Sequence, residues 1–527
     1  MVVLAPHWAL LVLAAILLLA ACGGEAGDPA ETRATVATAV RATVEALPES
    51  TGAESSTPAD SLPPAVLETS AQVRPDNPLI VEVKVSLDRD SQVFVEYEND
   101  DSGTFRSLTT ATTASEHMVP IVRLRPSTNY DYEVFAVDLE ERVSEGLKGS
   151  FKTDALPEAL ASVEFSATGE PTPELLLMDH QDVATSYILV LDADSNIVWY
   201  YASPNLVPSL LYSINAIRQK PDYNLVYYMG RNKRPCCLRE ITPLGEIVDS
   251  LSYSDIDGLP HHDHLILPND EVLYLARIHE EVDDTAQGGG RNTPVEGDSI
   301  RIWDQKTGLT REIWNAFDAF DIKDRVTWEP VPFYGIPGQP ERPGEMMRWW
   351  NANSLNIGPR GNYILSVKTL NQVVSISPDL EFVEWVFGGP NSGYKFLDQN
   401  DKFYLPHTVT ELPNGNILVF DNGSGRLEEE GGEYSRVTEF ALSDYDLSAF
   451  KVWEYRPEPD LFSRTRGGAY RLGNENTLIS FDTTPRVIVE VDSDSTEVWR
   501  LEVWGPSFKD SYRAYPFESI MGETRLR

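Results

Sequence analysis

The sequence has 527 residues, of which 42% are hydrophobic and 24% charged, and its formal net charge is −39. This composition is typical of a soluble globular protein, and the length predicts at least two domains. The acidic balance excludes nucleic acid as a partner, because phosphate binding needs clustered lysine and arginine. An anionic ligand therefore requires a local positive site.

The first 22 residues form an apolar leader. Residues 2–21 contain no Asp, Glu, Lys or Arg, and the letters LAACGG around Cys22 resemble a bacterial lipobox. We interpret residues 1–22 as a lipoprotein signal peptide, with Cys22 lipidated and the protein exported to the periplasm or cell surface. Because the leader lacks basic residues, two other interpretations stay open: a plain secretory signal and an uncleaved anchor. Both would also export the protein.

Two segments precede the main domain. Residues 23–65 are rich in Ala, Thr, Glu, Ser and Pro, which predicts a flexible tether from the membrane. Residues 66–157 alternate polar and apolar types in short runs, which indicates a small β-sandwich. The segment from Leu124 to Tyr132 resembles the tyrosine corner of fibronectin type III domains, in which the hydroxyl of Tyr130 would bond back to the backbone. We expect a spacer or docking module.

Residues 158–527 repeat themselves. Six segments place a turn before an aromatic strand, as in LDADSNIVWYY (residues 191–201). A second unit precedes most of them and holds two strands around a tight turn, as in HTVTELPNGNILVFD (residues 407–421). Each full repeat is four antiparallel strands, and six such sheets around one axis make an all-β, six-bladed β-propeller.

The repeat also predicts which residues share a face. The first strand of each repeat begins on the face to which the second strand returns. The starts are Asn215, His262, Asn351, Asn353 and His407, and the ends are Arg231, Arg277, Lys368, Asn422 and Thr483. One histidine at a strand start usually serves structure, but recurrence at the same phase in two repeats favours a shared site. In the alternative interpretation, Lys368 and Arg277 are only solvent-exposed charges at the rim of the propeller.

The remaining motifs do not indicate a catalytic or metal-binding site. Cys236 and Cys237 are adjacent, and we expect either a vicinal disulfide or two buried thiols in a structural role. No CxxC or nearby Cys/His pair predicts a zinc site. The letters FDNGSGR at residues 420–426 lack the carboxylate spacing of an EF-hand. We expect no metal and no cofactor.

Four segments carry a family resemblance: HHD at 261–263, WWNANS at 349–354, LPHT at 405–408 and FDNGSGR followed by YSRVTEF. Together they resemble bacterial arylsulfotransferases, which are exported propeller enzymes with an N-terminal β-sandwich. The resemblance implies transfer of a sulfuryl group from a phenolic sulfate ester to a phenol, without a nucleotide donor. The partners would be a small aryl sulfate and a phenolic acceptor.

The resemblance also implies residue roles. His407 matches the nucleophile, which becomes a transient sulfohistidine, and His262 or His261 matches a second histidine that we expect to act as acid or base. The catalytic set is His407, His262, Lys368 and Asn353, and the substrate-binding set is His261, Asn351, Arg277, Asn422 and Thr483. Within the catalytic set, we expect Lys368 and Asn353 to clamp the sulfuryl oxygens.

Two positions depart from the family pattern. Asn351 stands where the family has the histidine of its His-x-Asn-Ser motif, and Lys368 stands where it has an arginine. Asparagine cannot shuttle a proton at neutral pH, and lysine lacks the planar fork that suits sulfate oxygens. Two alternatives therefore stay open. One is an inactive propeller that binds a ligand or a cell-surface partner, and the other is a quinone-cofactor dehydrogenase.

Overall fold

The computed structural model describes residues 62–182, 185–203, 213–231, 234–251, 258–287, 289–323, 329–332, 345–505 and 512–526. The predicted signal peptide, Cys22, the tether up to residue 61 and the side chains of Arg231 and Cys236 lie outside that description. Cys237 is disulfide-bonded. Within the described ranges, no helix has the length and apolarity that crossing a membrane requires.

The N-terminal strands form a β-sandwich. They are β1 (Val66–Arg74), β2 (Asn77–Asn99), β3 (Gly103–Arg106), β4 (Ala114–Ile121), β5 (Asn129–Val137) and β6 (Leu147–Lys152). The long β2 belongs to both sheets, because its first half pairs with β1 and β4 and its second half with β3 and β5. The hydroxyl of Tyr130 accepts a hydrogen bond from the amide of Arg125 at 2.8 Å, as predicted for a tyrosine corner.

Helix α1 (Glu158–Ala161) and strand β7 (Glu164–Gly169) lead into the propeller. Blade 1 contains β8 (Leu175–Gln181), β9 (Ser186–Asp192) and β10 (Ile197–Ser203). Blade 2 contains β11 (Ser213–Gln219), β12 (Leu225–Arg231), β13 (Arg234–Ile241) and β14 (Ile247–Leu251). Blade 3 contains β15 (Leu259–Ile266), β16 (Val272–Val282), β17 (Thr293–Asp304) and β18 (Leu309–Asn315), followed by helix α2 (Ala316–Ala319) and the added strands β19 (Glu329–Pro332) and β20 (Glu345–Arg348).

Blade 4 contains β21 (Ala352–Ile357), β22 (Tyr363–Val367), β23 (Gln372–Ile376) and β24 (Val383–Phe387). Blade 5 contains β26 (Thr408–Glu411), β27 (Ile417–Asp421), β28 (Arg436–Ser443) and β29 (Ser448–Tyr455), with β25 (Lys395–Phe396) on its outer edge. Blade 6 contains β30 (Gly468–Arg471), β31 (Thr477–Phe481), β32 (Arg486–Val491) and β33 (Glu497–Trp504). The last strands are β34 (Ala514–Phe517) and β35 (Thr524–Arg525).

Both ends of the propeller segment close the ring. β34 pairs with β8 and becomes the innermost strand of blade 1, while β7 pairs with β33 on the outer edge of blade 6. The chain then returns to the sandwich, where β35 pairs with β3. The six-bladed, all-β prediction is confirmed, and the closure places C-terminal residues at the propeller axis.

The hydrophobic core lies between the blades. The described residues form six buried clusters, each shared by two neighbouring blades, and a seventh fills the sandwich. Alternate residues of one strand serve opposite interfaces: in β16, Leu273 and Leu275 pack towards blade 4, whereas Val272 and Tyr274 pack towards blade 2. Because the first half of β16 is buried on both sides, it reads as a nearly continuous apolar run.

Candidate active site

Three of the inner strands bulge near their starts: β11 at Ala216, β15 and β21. In β15, three residues from His261 to Asp263 face one residue of β16, and His262 has φ +53°. In β21, Asn353 is the extra residue opposite β22. A bulge leaves residues outside the ladder and turns their side chains away from the sheet, which is common beside active sites. These irregular starts surround His407, whose amide donates to Phe420 at 3.0 Å.

His407 is buried and held in one tautomer. Its side chain is 1% exposed, and its Nδ1 lies 2.8 Å from the carbonyl oxygen of Gly467. A carbonyl only accepts hydrogen bonds, so Nδ1 carries the proton and Nε2 carries the lone pair. Among the described residues, Nε2 of His407 has no hydrogen-bond partner.

Gly467 is required for this arrangement. Its φ is +116°, and a Cβ at this position would meet the Phe420 ring at 2.4 Å. The same carbonyl accepts from the hydroxyl of Thr408 at 3.0 Å, so one strained turn orients both neighbouring side chains. The glycine therefore aims a carbonyl at His407 that a larger residue would displace.

The surroundings keep His407 neutral. Burial, together with the positive charges of Arg513, Arg466 and Lys368, holds the pKa of His407 well below its usual range. The aromatic ring of Tyr512 lies 5.1 Å from the imidazole, measured between ring centroids, and the two planes are at 75°. His407 thus presents an unprotonated nitrogen among cationic side chains.

His262 lies beside the same tyrosine. Its ring centroid lies 6.5 Å from that of Tyr512, and burial followed by the charges of His261, Arg277, His407 and Arg348 lowers its pKa well below the usual range. Its Nδ1 is 2.6 Å from Nδ1 of His261. His262 keeps some exposure, whereas His261 is 1% exposed behind it. Of the two histidines, His262 is therefore the more accessible and the one beside Tyr512.

Arg513 links the strand starts that carry Asp263, Asn353 and His407 through hydrogen bonds. Its guanidinium donates to the backbone oxygens of Asn353 at 2.7 Å and His407 at 3.3 Å, and to Asp263 at 2.7 Å. Burial alone would raise the pKa of Asp263, but Arg513 and then Arg218 outweigh it and lower that pKa to about 2. The ion pair is fully buried, so it fixes three inner strands to one another.

The two residues that depart from the family pattern are joined to each other, and one of them acts on His407. Lys368 is half-buried and contributes to the lowered pKa of His407, and its amide donates to the backbone oxygen of Asn351 at 2.9 Å. The side chain of Asn351 is 1% exposed, and among the described residues its Nδ2 has no hydrogen-bond partner. A buried N–H without an acceptor is costly, so this amide fits a site that receives an anion oxygen.

Three predicted residues have structural partners instead. The amide of Asn353 donates to the Pro406 carbonyl at 2.9 Å, and its oxygen accepts from the Ser366 hydroxyl. Asn353 thus supports the residue before His407, where we expected a direct clamp on the substrate. Asn422 donates to the Arg466 carbonyl at 2.8 Å, and the hydroxyl of Thr483 donates to the Pro485 carbonyl at 2.6 Å.

Arg277 belongs to a charged group beside His262. Glu296 is fully buried, 3.9 Å from Nε of Arg277 and 2.5 Å from Nε of Arg348. Burial would raise the pKa of Glu296, but Arg277, His279 and Arg348 together lower it. Two guanidiniums therefore share one buried carboxylate beside His262.

Four residues of the site were not predicted from the sequence: Arg348, Arg466, Tyr512 and Arg513. Arg348 and Arg466 precede recurring strand starts, and their charge next to WWNANS and GGAY was an available signal. Tyr512 and Arg513 lie outside the repeats, in the segment that closes the ring, and no local pattern marks them. In the described ranges, no group of His, Cys, Asp or Glu is arranged to hold a metal ion.

Comparison with known proteins decides the family. A model of the arylsulfotransferase (ASST) family matches residues 162–503, which is most of the propeller. The chain belongs to the arylsulfotransferase family. Arylsulfate sulfotransferase AssT of Escherichia coli O6:H1 is 25% identical over 170 residues, which cover 26% of this chain and 28% of AssT. This family membership leaves the dehydrogenase alternative without support.

Two solved structures resemble this arylsulfotransferase-family chain in part. A Bacteroides caccae protein of unknown function is 15% identical, with a TM-score of 0.38 over 66% of this chain and 100% of that one. Virginiamycin B lyase from Staphylococcus aureus is 11% identical, with a TM-score of 0.33 over 83% of this chain and 99% of that one. At these scores neither structure bears on function.

The buried histidines predict acid sensitivity of the fold. Burial lowers the pKa of five of them, to about 4 in His180 and His264. Below pH ~6.5 the unfolded chain binds more protons than the folded one, so the free energy of unfolding falls as the pH drops. Each histidine removes up to about 1.4 kcal/mol per pH unit between its folded and unfolded pKa.

Urea unfolding at pH 7.5, 6.0 and 5.0 measures this loss. His264→Gln keeps a donor for the carbonyl of Val226, which His264 contacts at 3.1 Å, and should flatten the pH dependence. A free energy of unfolding that stays constant or rises from pH 7.5 to 5.0 would show that these histidines are not held neutral.

Proposed function

We propose that this protein transfers a sulfuryl group from a phenolic sulfate ester to a phenol, through a transient sulfohistidine at His407. One observation carries the proposal: the Gly467 carbonyl fixes the proton of His407 on Nδ1, which leaves the Nε2 lone pair free near the charges of Arg513, Arg466 and Lys368. A neutral imidazole is a good nucleophile towards sulfur, and a covalent intermediate splits one difficult transfer into two easier steps.

In the first step, the Nε2 lone pair of His407 attacks the sulfur of the ester. The S–O bond to the phenol breaks, its electron pair leaves with the phenoxide oxygen, and a sulfuryl group remains on Nε2. The hydrogen bond from Nδ1–H to the Gly467 carbonyl stabilises the positive charge that develops on the ring. This bond also prevents the ring from rotating away from its line of attack.

Cations and donors around His407 would hold the three sulfuryl oxygens. Lys368 and Arg466 lie close enough to lower the pKa of His407, and the Nδ2 of Asn351 is a buried donor that lacks an acceptor. Donors that are fixed in place before the reaction stabilise charge in the transition state without reorganising. They also offset the repulsion between an anionic substrate and a chain of net charge −39.

In the second step, a phenol attacks the sulfur of sulfohistidine. The S–N bond breaks, its pair returns to Nε2 of His407, and the phenol proton passes to a base. His262 is the group in place for that role, because it lies beside the same tyrosine as His407 and is neutral at rest. Tyr512 lies beside both imidazoles and would pack against the aromatic ring of the substrate.

Purified protein with 4-nitrophenyl sulfate and phenol tests the proposal. We expect release of nitrophenolate that depends on the phenol, together with formation of phenyl sulfate. The second candidate, a binding propeller, is favoured by Asn351, which replaces a family histidine. It predicts saturable binding of an aryl sulfate, with neither nitrophenolate nor phenyl sulfate produced.

Lys368 offers a graded prediction. Lys368→Met removes a charge from the sulfuryl site and should lower kcat/KM about 10²-fold, the effect of removing one fixed donor to a developing anion. Lys368→Arg restores the charge and adds a planar fork, so it should retain or raise activity. Steady-state kinetics measures kcat/KM for both variants. Equal losses in the two would show that charge at this position does not act on the sulfuryl group.

A further inference from the structure

We propose that Asp298 and His261 form a relay behind His262 that leaves Nε2 of His262 unprotonated, ready to accept the proton of the acceptor phenol. This inference rests on the proposed function and assigns two positioning residues to its second step. Neither Asp298 nor His261 would touch the substrate. Both act through the tautomer of His262.

The three side chains lie in a row that leads out of the core. Asp298 on β17 and His261 on β15 are each 1% exposed, and Oδ1 of Asp298 lies 3.2 Å from Nε2 of His261. The contact is close, but neither of these two atoms has a hydrogen bond of good geometry among the described residues. On its other side, His261 places Nδ1 2.6 Å from Nδ1 of His262. A hydrogen bond formed across the 3.2 Å contact with Asp298 would satisfy two buried groups that otherwise lack one.

Asp298 is itself held in place. Its other oxygen, Oδ2, accepts a hydrogen bond from the amide of Ala352 at 2.5 Å. Ala352 lies between Asn351 and Asn353, at the start of the neighbouring inner strand. The carboxylate is therefore fixed to the backbone that also shapes the sulfuryl site, and it cannot turn away from His261 without breaking that bond.

The carboxylate of Asp298 determines which ring nitrogen carries the proton in His261 and, through it, in His262. An ionised carboxylate only accepts, so Asp298 favours the tautomer of His261 with its proton on Nε2. Nδ1 of His261 is then an acceptor, and the hydrogen bond between the two Nδ1 atoms must be donated by His262. With its proton on Nδ1, His262 has a lone pair on Nε2. Among the described residues, Nε2 of His262 has no hydrogen-bond partner.

The proton balance of the second step fits this tautomer. As the phenol oxygen bonds to sulfur, its proton moves to Nε2 of His262, and the S–N pair returns to His407. His262 becomes an imidazolium, which later returns the proton to the phenoxide that leaves from the next donor molecule. The shuttle needs no other reactant, because each cycle takes up one phenol proton and releases one.

Charges around His262 explain why a relay is needed. Burial comes first among the causes that disfavour an imidazolium at His262, followed by the charges of His261, Arg277, His407 and Arg348. On the other side, Asp298 and Glu296 favour a positive charge on His261. A carboxylate behind the pair therefore stabilises the transient cation, in the same way that an aspartate orients the histidine of a hydrolase triad.

Asp298→Asn tests the relay. The amide keeps the size and keeps an oxygen for the Ala352 amide, but its NH₂ turned towards His261 reverses both tautomers and puts a proton on Nε2 of His262. With 4-nitrophenyl sulfate alone, the first burst of nitrophenolate should persist, because this leaving group needs no proton. Turnover with phenol should fall about 100-fold, the usual size of a general-base contribution.

Varying the acceptor phenol separates a lost proton acceptor from a purely structural defect, because a structural defect would lower turnover with every phenol. Phenols that are already ionised at the assay pH, such as 4-cyanophenol at high pH, need no base and should recover most of the lost turnover. Asp304→Asn removes the same charge from the end of the same strand, where the carboxylate bonds the turn amide of Lys306, and should change neither step.

The outcomes separate the two proposals. A wild-type protein without a burst overturns the proposed function itself. A wild-type burst with unchanged phenol turnover in Asp298→Asn overturns the relay. If Asp298→Asn loses the burst through misfolding, His261→Asn takes its place: loss of phenol turnover with recovery by ionised acceptors supports the relay, and unchanged turnover contradicts it.

Discussion

Replacing His407 with alanine is expected to lower sulfuryl transfer by a factor on the order of 10⁴ or more, because no other group can form the covalent intermediate. His407→Asn, which keeps a donor for the Gly467 carbonyl, should be equally inactive. Both variants should fold, since the imidazole makes one hydrogen bond to the protein. Nitrophenolate release and phenyl sulfate formation measure the loss.

A matched histidine provides the control. His117 in the sandwich bonds the carbonyl of Ser91 at 2.8 Å and lies outside the propeller, so His117→Asn should retain full transfer. Equal activity of His407→Ala and wild type would reject the covalent route. Equal losses in His117→Asn and His407→Ala would point to a general effect on the fold.

Arg513→Met is expected to give the largest loss of stability, about 3–5 kcal/mol in the free energy of unfolding. The substitution leaves Asp263 buried with only Arg218 as a cationic partner, and it removes donors from the backbone oxygens of Asn353 and His407. Transfer activity should fall with stability, because the strand that carries His407 loses its anchor. Urea unfolding measures the first effect.

Arg500→Met is the matched control. Arg500 pairs with Glu497 at 3.3 Å and with Glu502 at 3.0 Å on the outer surface, where all three side chains are about one-third exposed. A solvated pair of this kind contributes less than about 1 kcal/mol. The double variant Arg513→Met with Asp263→Asn should recover part of the loss, since it leaves no buried unpaired carboxylate. Similar losses in the two single arginine variants would contradict a central role for Arg513.

Local patterns predicted the blades because each strand carries its own signal. Alternate residues of β16 face different neighbouring blades, so the apolar run and its bounding turns identify the strand without knowledge of the partners. The shared face of His262, Lys368 and His407 followed from strand direction alone. The observed tyrosine-corner hydrogen bond of Tyr130 was predictable for the same reason, since donor and acceptor lie five residues apart.

Contacts between residues far apart in the sequence could not be predicted from local patterns. Arg513 meets Asp263 across a separation of 250 residues, and nothing in the sequence around either residue indicates the pair. The order of His261 and His262 depends on a bulge, which turns each side chain differently from a regular strand. Asn353 looked like a substrate clamp from its motif, whereas only the position of the Pro406 carbonyl shows what its amide binds.

Mass spectrometry of the peptide that contains His407 tests the central claim most directly. After brief incubation with an aryl sulfate and quenching at alkaline pH, we predict the added mass of one sulfuryl group on His407, which disappears when a phenol is supplied. A protein that turns over donor and acceptor without ever carrying that adduct, or that carries it on another residue, would contradict a sulfohistidine at His407.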